Sequence, residues 1–129
     1  MIDHIGFGVS DYERSKTFYT TVLATLGAVL VMEVTPHQTE DGVWACGFGR
    51  EGKPSFWIGS DGKTSPRMHV AFTADSREAV QRFHQAALVA GATDNGAPGL
   101  RPHYHPNYYG AFVRDPDGHN IEAVCHRPE

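Results

Sequence analysis

The sequence predicts an α+β fold assembled from two βαβββ modules, and three observations predict it. First, the chain repeats itself at an offset of 65 residues: His4 falls on His69, Phe7 on Phe72, Ser10 on Asp75, Glu13 on Glu78, Phe18 on Phe83 and Leu23 on Leu88. An internal repeat points to duplicated supersecondary units. Second, each half opens with a short alternating run followed by a helix-start signal. Third, each helix gives way to short strand-like runs separated by Gly, Pro and Asp turn signals.

The elements follow in order. His4 to Val9 alternates as a half-buried strand should, with Ile5, Phe7 and Val9 on the apolar side. Ser10 with Glu13 fits a capping box, and Asp75 with Glu78 is its analogue in the second half. Ser15, Phe18, Tyr19, Val22, Leu23 and Leu26 share one helical face; Ala79, Val80, Phe83, Ala87 and Leu88 share another. Gly27 and Gly91 stand where left-handed caps end helices. First-half strands are expected at 29–34, 43–48 and 55–58, with Asp41-Gly42, Glu51-Gly52 and Asp61-Gly62 as turns. In the second half, 94–106 reads as a long Gly-, Pro- and His-rich loop that hides at most one short strand. Strands at 109–114 and 120–126 then flank a tight turn at Asp115-Pro116-Asp117-Gly118. Module one is placed at about 1–62 and module two at about 66–127, within a single domain.

Strand parity carries the functional reading. Where Ile5, Phe7 and Val9 face a helix, His4, Gly6 and Gly8 face away. His69 and Ala71 do the same in the matching strand, and Glu122 in the last one. If the sheets curl, their non-helical faces form a trough. The pseudo-twofold of the repeat then brings His4 and His69 to equivalent places, beside Glu122. Two imidazoles and one carboxylate suit Fe(II), Mn, Ni, Zn or Co and leave positions open for substrate. Aromatic residues on first-half strands (Trp44, Phe48, Trp57) read first as core packing, with a trough wall that stacks a planar substrate as the alternative. Arg101 and Tyr109 are candidate substrate contacts. His103, Tyr104 and His105 lie in a polar-aromatic loop that could supply a general base at the lip.

Bulk properties exclude several classes. Of 129 residues, 40% are hydrophobic and 20% charged, with net charge −4, an ordinary globular balance. No cluster of Lys and Arg suggests a nucleic-acid surface. No apolar run is long enough to span a bilayer. The opening Met1-Ile2-Asp3-His4 lacks a basic segment followed by an apolar one, which predicts a cytoplasmic protein. The two cysteines, Cys46 and Cys125, are read as reduced, buried thiols.

Asp3-His4-Ile5-Gly6-Phe7-Gly8-Val9, Phe18-Tyr19, His69-Val70-Ala71-Phe72 and above all Asp115-Pro116-Asp117-Gly118-His119-Asn120-Ile121-Glu122 resemble the vicinal oxygen chelate superfamily, the glyoxalase, bleomycin-resistance and extradiol dioxygenase group. The resemblance covers nearly the whole chain. It implies a cupped, partly open mixed-sheet barrel, the glyoxalase-like fold, in a homodimer that acts on a small molecule. It also implies metal ligands from the first and last strands of each module, three of which are His4, His69 and Glu122. The fourth position falls near Ser55-Phe56-Trp57-Ile58, where glyoxalase I-like members carry a carboxylate and this chain offers Trp57 or Phe56. That departure speaks against glyoxalase I activity. The remaining set is similar to those of extradiol dioxygenases and fosfomycin-modifying thiol transferases. A lyase, isomerase, dioxygenase or thiol transferase remains open, as does the use of a thiol such as glutathione. A metal-independent drug-binding protein is the alternative, and a degenerate copy without activity a third reading.

Overall fold

The structure, a computed structural model, describes residues 1–61 and 67–129. They form two compact units, Met1–Pro66 and Arg67–Glu129. Unit one runs β1 (Ile5–Gly8), α1 (Tyr12–Ala24), β2 (Val29–Val34), a 3₁₀ turn (Pro36–Gln38), β3 (Ala45–Arg50) and β4 (Lys53–Gly59). Unit two runs β5 (His69–Thr73), α2 (Arg77–Val89), β6 (Thr93–Leu100), β7 (Tyr109–Arg114) and β8 (Asn120–Cys125). Each is the expected βαβββ module. Each sheet is mixed, with strand orders β1-β4-β3-β2 and β5-β8-β7-β6. The first strand pairs parallel with the last, and the other pairings are antiparallel.

One face of each sheet carries its helix. In unit one, Phe7, Phe48, Phe56 and Ile58 are buried together with Phe18, Tyr19, Val22 and Leu23 of α1. Phe56 meets Tyr19 edge-on at 4.9 Å and Phe7 at 5.4 Å between ring centroids, a geometry worth about 0.5–1.5 kcal/mol per pair beyond area burial. In unit two, Val80, Phe83 and Ala87 of α2 are buried along with Val70, Val113, Ile121 and Ala123. Leu88, expected on the same face, is 39% exposed.

Both helices start one residue later than the capping-box reading. Asp11 caps α1 by accepting Arg14 N at 3.1 Å, and Ser76 caps α2 by accepting Ala79 N at 3.0 Å. Both end alike, with Gly27 at φ 75° and Gly91 at φ 103°. Ala28 N returns to Leu23 O at 3.0 Å, and Ala92 N to Ala87 O at 2.9 Å.

The largest departure is β6, an irregular eight-residue strand where a loop with one short strand at most was expected. Pro98 is tolerated because β6 is an edge strand, and the register shifts around Gly96 absorb the irregularity. The turn at Asp115–Gly118 forms as expected: Gly118 N donates to Asp115 O, and Asp115 Oδ1 accepts from the amides of Asp117 and His119. Of the turn expected at Asp61-Gly62, Gly62 lies outside the described residues.

Candidate functional site

Within unit two, strand alternation brings two ligand-type side chains into contact. Asn120 pairs with His69 and Glu122 with Ala71 across the parallel β5–β8 ladder, so His69 and Glu122 lie on one face, away from α2. His69 Nε2 stands 3.1 Å from Glu122 Oε2. The carboxylate is buried, 1% exposed, whereas half of the His69 side chain remains accessible. Phe112, opposite Glu122 on β7, stacks its ring near the imidazole at 6.4 Å and 22°.

The second Glu122 oxygen has a partner that sequence reading missed. Tyr108 donates its hydroxyl to Glu122 Oε1. Burial, reinforced by this bond, pushes the Tyr108 hydroxyl above its ordinary range, so it remains a donor at neutral pH. Tyr108 precedes β7 and so escapes the alternation that guided the strand reading. Its neighbour Tyr109, the expected substrate contact, turns the other way. The Tyr109 hydroxyl accepts Gln81 Nε2 from α2 at 2.9 Å, and Arg77 lies over its ring at 5.2 Å. Tyr109 is therefore a helix-side residue, which corrects its candidacy as a substrate contact.

The other second-half candidates are nearby. Arg101 spends its guanidinium locally, on the carbonyls of Ala97 and Gly99 at 2.8 Å each and over the Phe112 ring. Tyr104 packs between His103 at 4.2 Å and Tyr108 at 5.1 Å, and is 61% exposed. His105 Nδ1 accepts Asn107 N, and its ring meets His126. It is Tyr108 that bonds the acid. His119 is fully buried, with Nδ1 accepting Met68 N at 3.0 Å, which ties the turn to the start of β5.

In unit one, His4 stands just before β1, outside the strand that was expected to hold it. It is exposed, and its Nδ1 lies 2.7 Å from Asp3 Oδ1, which also accepts Lys53 Nζ at 2.7 Å. The Lys53 ammonium holds the Asp3 carboxyl below its usual range, with His4 contributing. His4, Gly6, Lys53, Pro54 and Trp57 line an open groove of about 450 Å³. Trp57 pairs with both Gly6 and Gly47 and lies on the groove face. A Cβ on Gly47 would stand 2.7 Å from the indole, so only glycine leaves room for the ring to lie across β3. Of the two side chains at the place where the resemblance expects a fourth ligand, Trp57 is the one on the groove face. Phe56 and Phe48 point into the core instead; for Phe48 this agrees with the packing reading and corrects its candidacy as a substrate contact, since it is 1% exposed and 6.3 Å from Tyr19 and from Phe56. Trp44, 41% exposed, sits 6.1 Å from Tyr12.

Among the described residues, no group of three or more His, Cys, Asp or Glu side chains is arranged to hold a metal ion. The His69–Glu122 pair fits a divalent cation as a partial set. An imidazole nitrogen and a carboxylate oxygen 3.1 Å apart have the separation of adjacent donors around an ion bonded at roughly 2.1 Å. The same distance also serves a direct hydrogen bond.

Comparison with known proteins agrees with the fold. The profile of the Glyoxalase/Bleomycin resistance protein/Dioxygenase superfamily matches residues 1–123. A glyoxalase/bleomycin resistance protein from Albidiferax ferrireducens T118 is 30% identical, with 98% of each chain covered and a TM-score of 0.74. A glyoxalase/bleomycin resistance protein/dioxygenase family enzyme from Burkholderia phytofirmans PsJN, at 20% identity, shares the fold with a TM-score of 0.71 over 98% of each chain. Glyoxalase I from Zea mays does so at 18% identity and a TM-score of 0.69, over 99% of this chain but 45% of its own. No curated protein matches significantly. No helix among the described residues is long and apolar enough to cross a membrane. With the profile match spanning nearly its full length, the chain belongs to the Glyoxalase/Bleomycin resistance protein/Dioxygenase superfamily.

Proposed function

We propose that the protein is a cytoplasmic, homodimeric, divalent-metal-dependent enzyme acting on a small substrate through two neighbouring oxygens. One observation carries this reading: a buried carboxylate, Glu122, in contact with the half-exposed imidazole of His69. Burying a carboxylate is costly unless it is paired, and a core that needed only packing would not place one there. His69 and Glu122 are the proposed ligands, with His4 added on the strength of the sequence repeat. A bound divalent ion supplies Lewis-acid polarisation of substrate oxygens. The chain's own side chains do the rest. Tyr108 fixes the rotamer of Glu122, and the buried face beneath it excludes water. The indole of Trp57 offers a flat apolar surface to a planar part of the substrate. The reaction classes that fit such a site are lyase, isomerase, dioxygenase and thiol transfer.

The second reading is metal-independent binding of a small molecule in an aromatic groove. Trp57 favours it, because an indole stands where a fourth ligand would be.

Metal content of protein purified without chelator separates the two. The metalloenzyme reading expects stoichiometric metal that His69→Ala and Glu122→Gln each release; metal content unchanged by both substitutions would defeat it. A thermal-shift screen of diols, hemithioacetals and phosphonates then narrows the substrate, since a ligand that binds only the native state raises its melting temperature.

A further inference from the structure

We infer that Tyr108 is a positioning residue that reserves one oxygen of Glu122, leaving the carboxylate a single oxygen with which to ligate. The inference rests on the proposed role of Glu122 as a metal ligand and goes beyond it, since it concerns how that ligand can bind.

A carboxylate can hold a cation through one oxygen or both. Here the two oxygens are divided. Oε1 accepts the Tyr108 hydroxyl, and Oε2 faces His69 Nε2 at 3.1 Å. The hydroxyl is held in place from several directions. Its ring meets Tyr104 at 5.1 Å and stands perpendicular to His126 at 5.2 Å. Its backbone is tied to the preceding loop, with Tyr108 N donating to His105 O at 3.1 Å and Arg101 N donating to Tyr108 O at 2.7 Å. The contact also depends on Gly110. A Cβ there would stand 3.1 Å from the Tyr108 ring and 3.3 Å from Glu122 Oε1, inside the space the pair uses. Glu122 is 1% exposed, so bulk water has no ready path to replace the hydroxyl.

Outer partners of metal ligands orient them, and losing one lowers metal affinity by about 10–100-fold. The test uses the full chain and Co(II) as probe, with three readouts: the dissociation constant by chelator competition, the visible absorption of the bound ion, and the melting temperature of the metal-free protein. Tyr108→Phe keeps the ring and deletes the hydroxyl. It is expected to bind Co(II) about 10–100-fold more weakly and to change the position and intensity of the visible bands, because the freed oxygen alters the coordination. Gly110→Ala should shift both readouts in the same direction with the hydroxyl intact. If wild type binds Co(II), Glu122→Gln does not, and Tyr108→Phe matches wild type in affinity and spectrum, the role of Tyr108 is overturned and the ligand reading stands. A lower melting temperature for Tyr108→Phe with unchanged affinity and spectrum makes Tyr108 a packing residue and overturns the inference equally. If wild type fails to bind, or Glu122→Gln binds as wild type does, the ligand reading falls and takes the inference with it.

Discussion

Glycine at 47 and tryptophan at 57 show how one missing methyl group shapes a surface. The indole needs the flat bed that Gly47 provides, and an alanine there would force it off β3. Overpacking of this kind destabilises by about 1–3 kcal/mol. In a Trp44→Phe background, where Trp57 is the sole tryptophan, Gly47→Ala should lower the denaturation midpoint and shift the emission spectrum; an unchanged spectrum would show that the ring does not rest there. The cysteines behave oppositely. Cys46 and Cys125 are both fully buried, and burial pushes the Cys46 thiol above its usual range, away from the reactive thiolate. A thiol reagent at neutral pH should label neither residue until denaturant unfolds the chain. At this scale the sequence was legible wherever parity could be counted from a clear strand. His69 and Glu122 follow from it, whereas the choice between Trp57 and Phe56 stayed open. Tyr108 does not, because it lies outside β7 and its direction comes from the loop that carries it.

Among the elements, the two helices were the most readable. Their apolar stripes repeat at 3.6-residue spacing, and the glycine ends match the positive φ values found. Their starts were read one residue early, because Ser10 and Asp75 are good caps in isolation and the chain instead uses the neighbours Asp11 and Ser76. Replacing either observed cap by alanine should cost about 1 kcal/mol, while Ser10→Ala should cost far less; chemical denaturation distinguishes the three. β6 was hidden because its Gly and Pro content mimics a loop. What makes it a strand is its long pairing with β7, a tertiary effect that local composition does not reveal.

At the level of the whole molecule, several carboxylates are held ionised by partners. Lys53 lowers Asp3, Lys16 lowers Glu33 with help from Tyr12, and His84 lowers Asp94. A carboxyl whose folded pKa is depressed contributes stability above its unfolded value, roughly pH 4, and that contribution disappears as pH falls through the folded value. The melting temperature should therefore hold from neutral pH to about pH 5 and decline below pH 4. Glu33→Gln should flatten part of that decline, since it removes the carboxylate that Lys16 meets at 2.8 Å and Tyr12 at 2.6 Å. An acid profile identical to wild type would show that this cluster contributes nothing measurable. The duplicated architecture was legible from the repeat, because matched histidines and helix faces recur at one offset and the glycine ends follow one residue out of step. The lack of a carboxylate in Ser55-Phe56-Trp57-Ile58 was equally visible. What it does to the chemistry is decided by the ligand.

In both sheets the strand placed between the opening strand and the rest is the one that comes last in its unit: β4 between β1 and β3, β8 between β5 and β7. Until that strand arrives, β5 has no partner within its sheet, and His69 has no Glu122 to meet. The imidazole–carboxylate pair therefore depends on the long-range closure of β8 onto β5, which joins the two ends of the unit. If the pair ligates a cation as proposed, metal uptake during refolding is expected to follow the pairing of β8 with β5, and uptake that precedes that pairing would count against it.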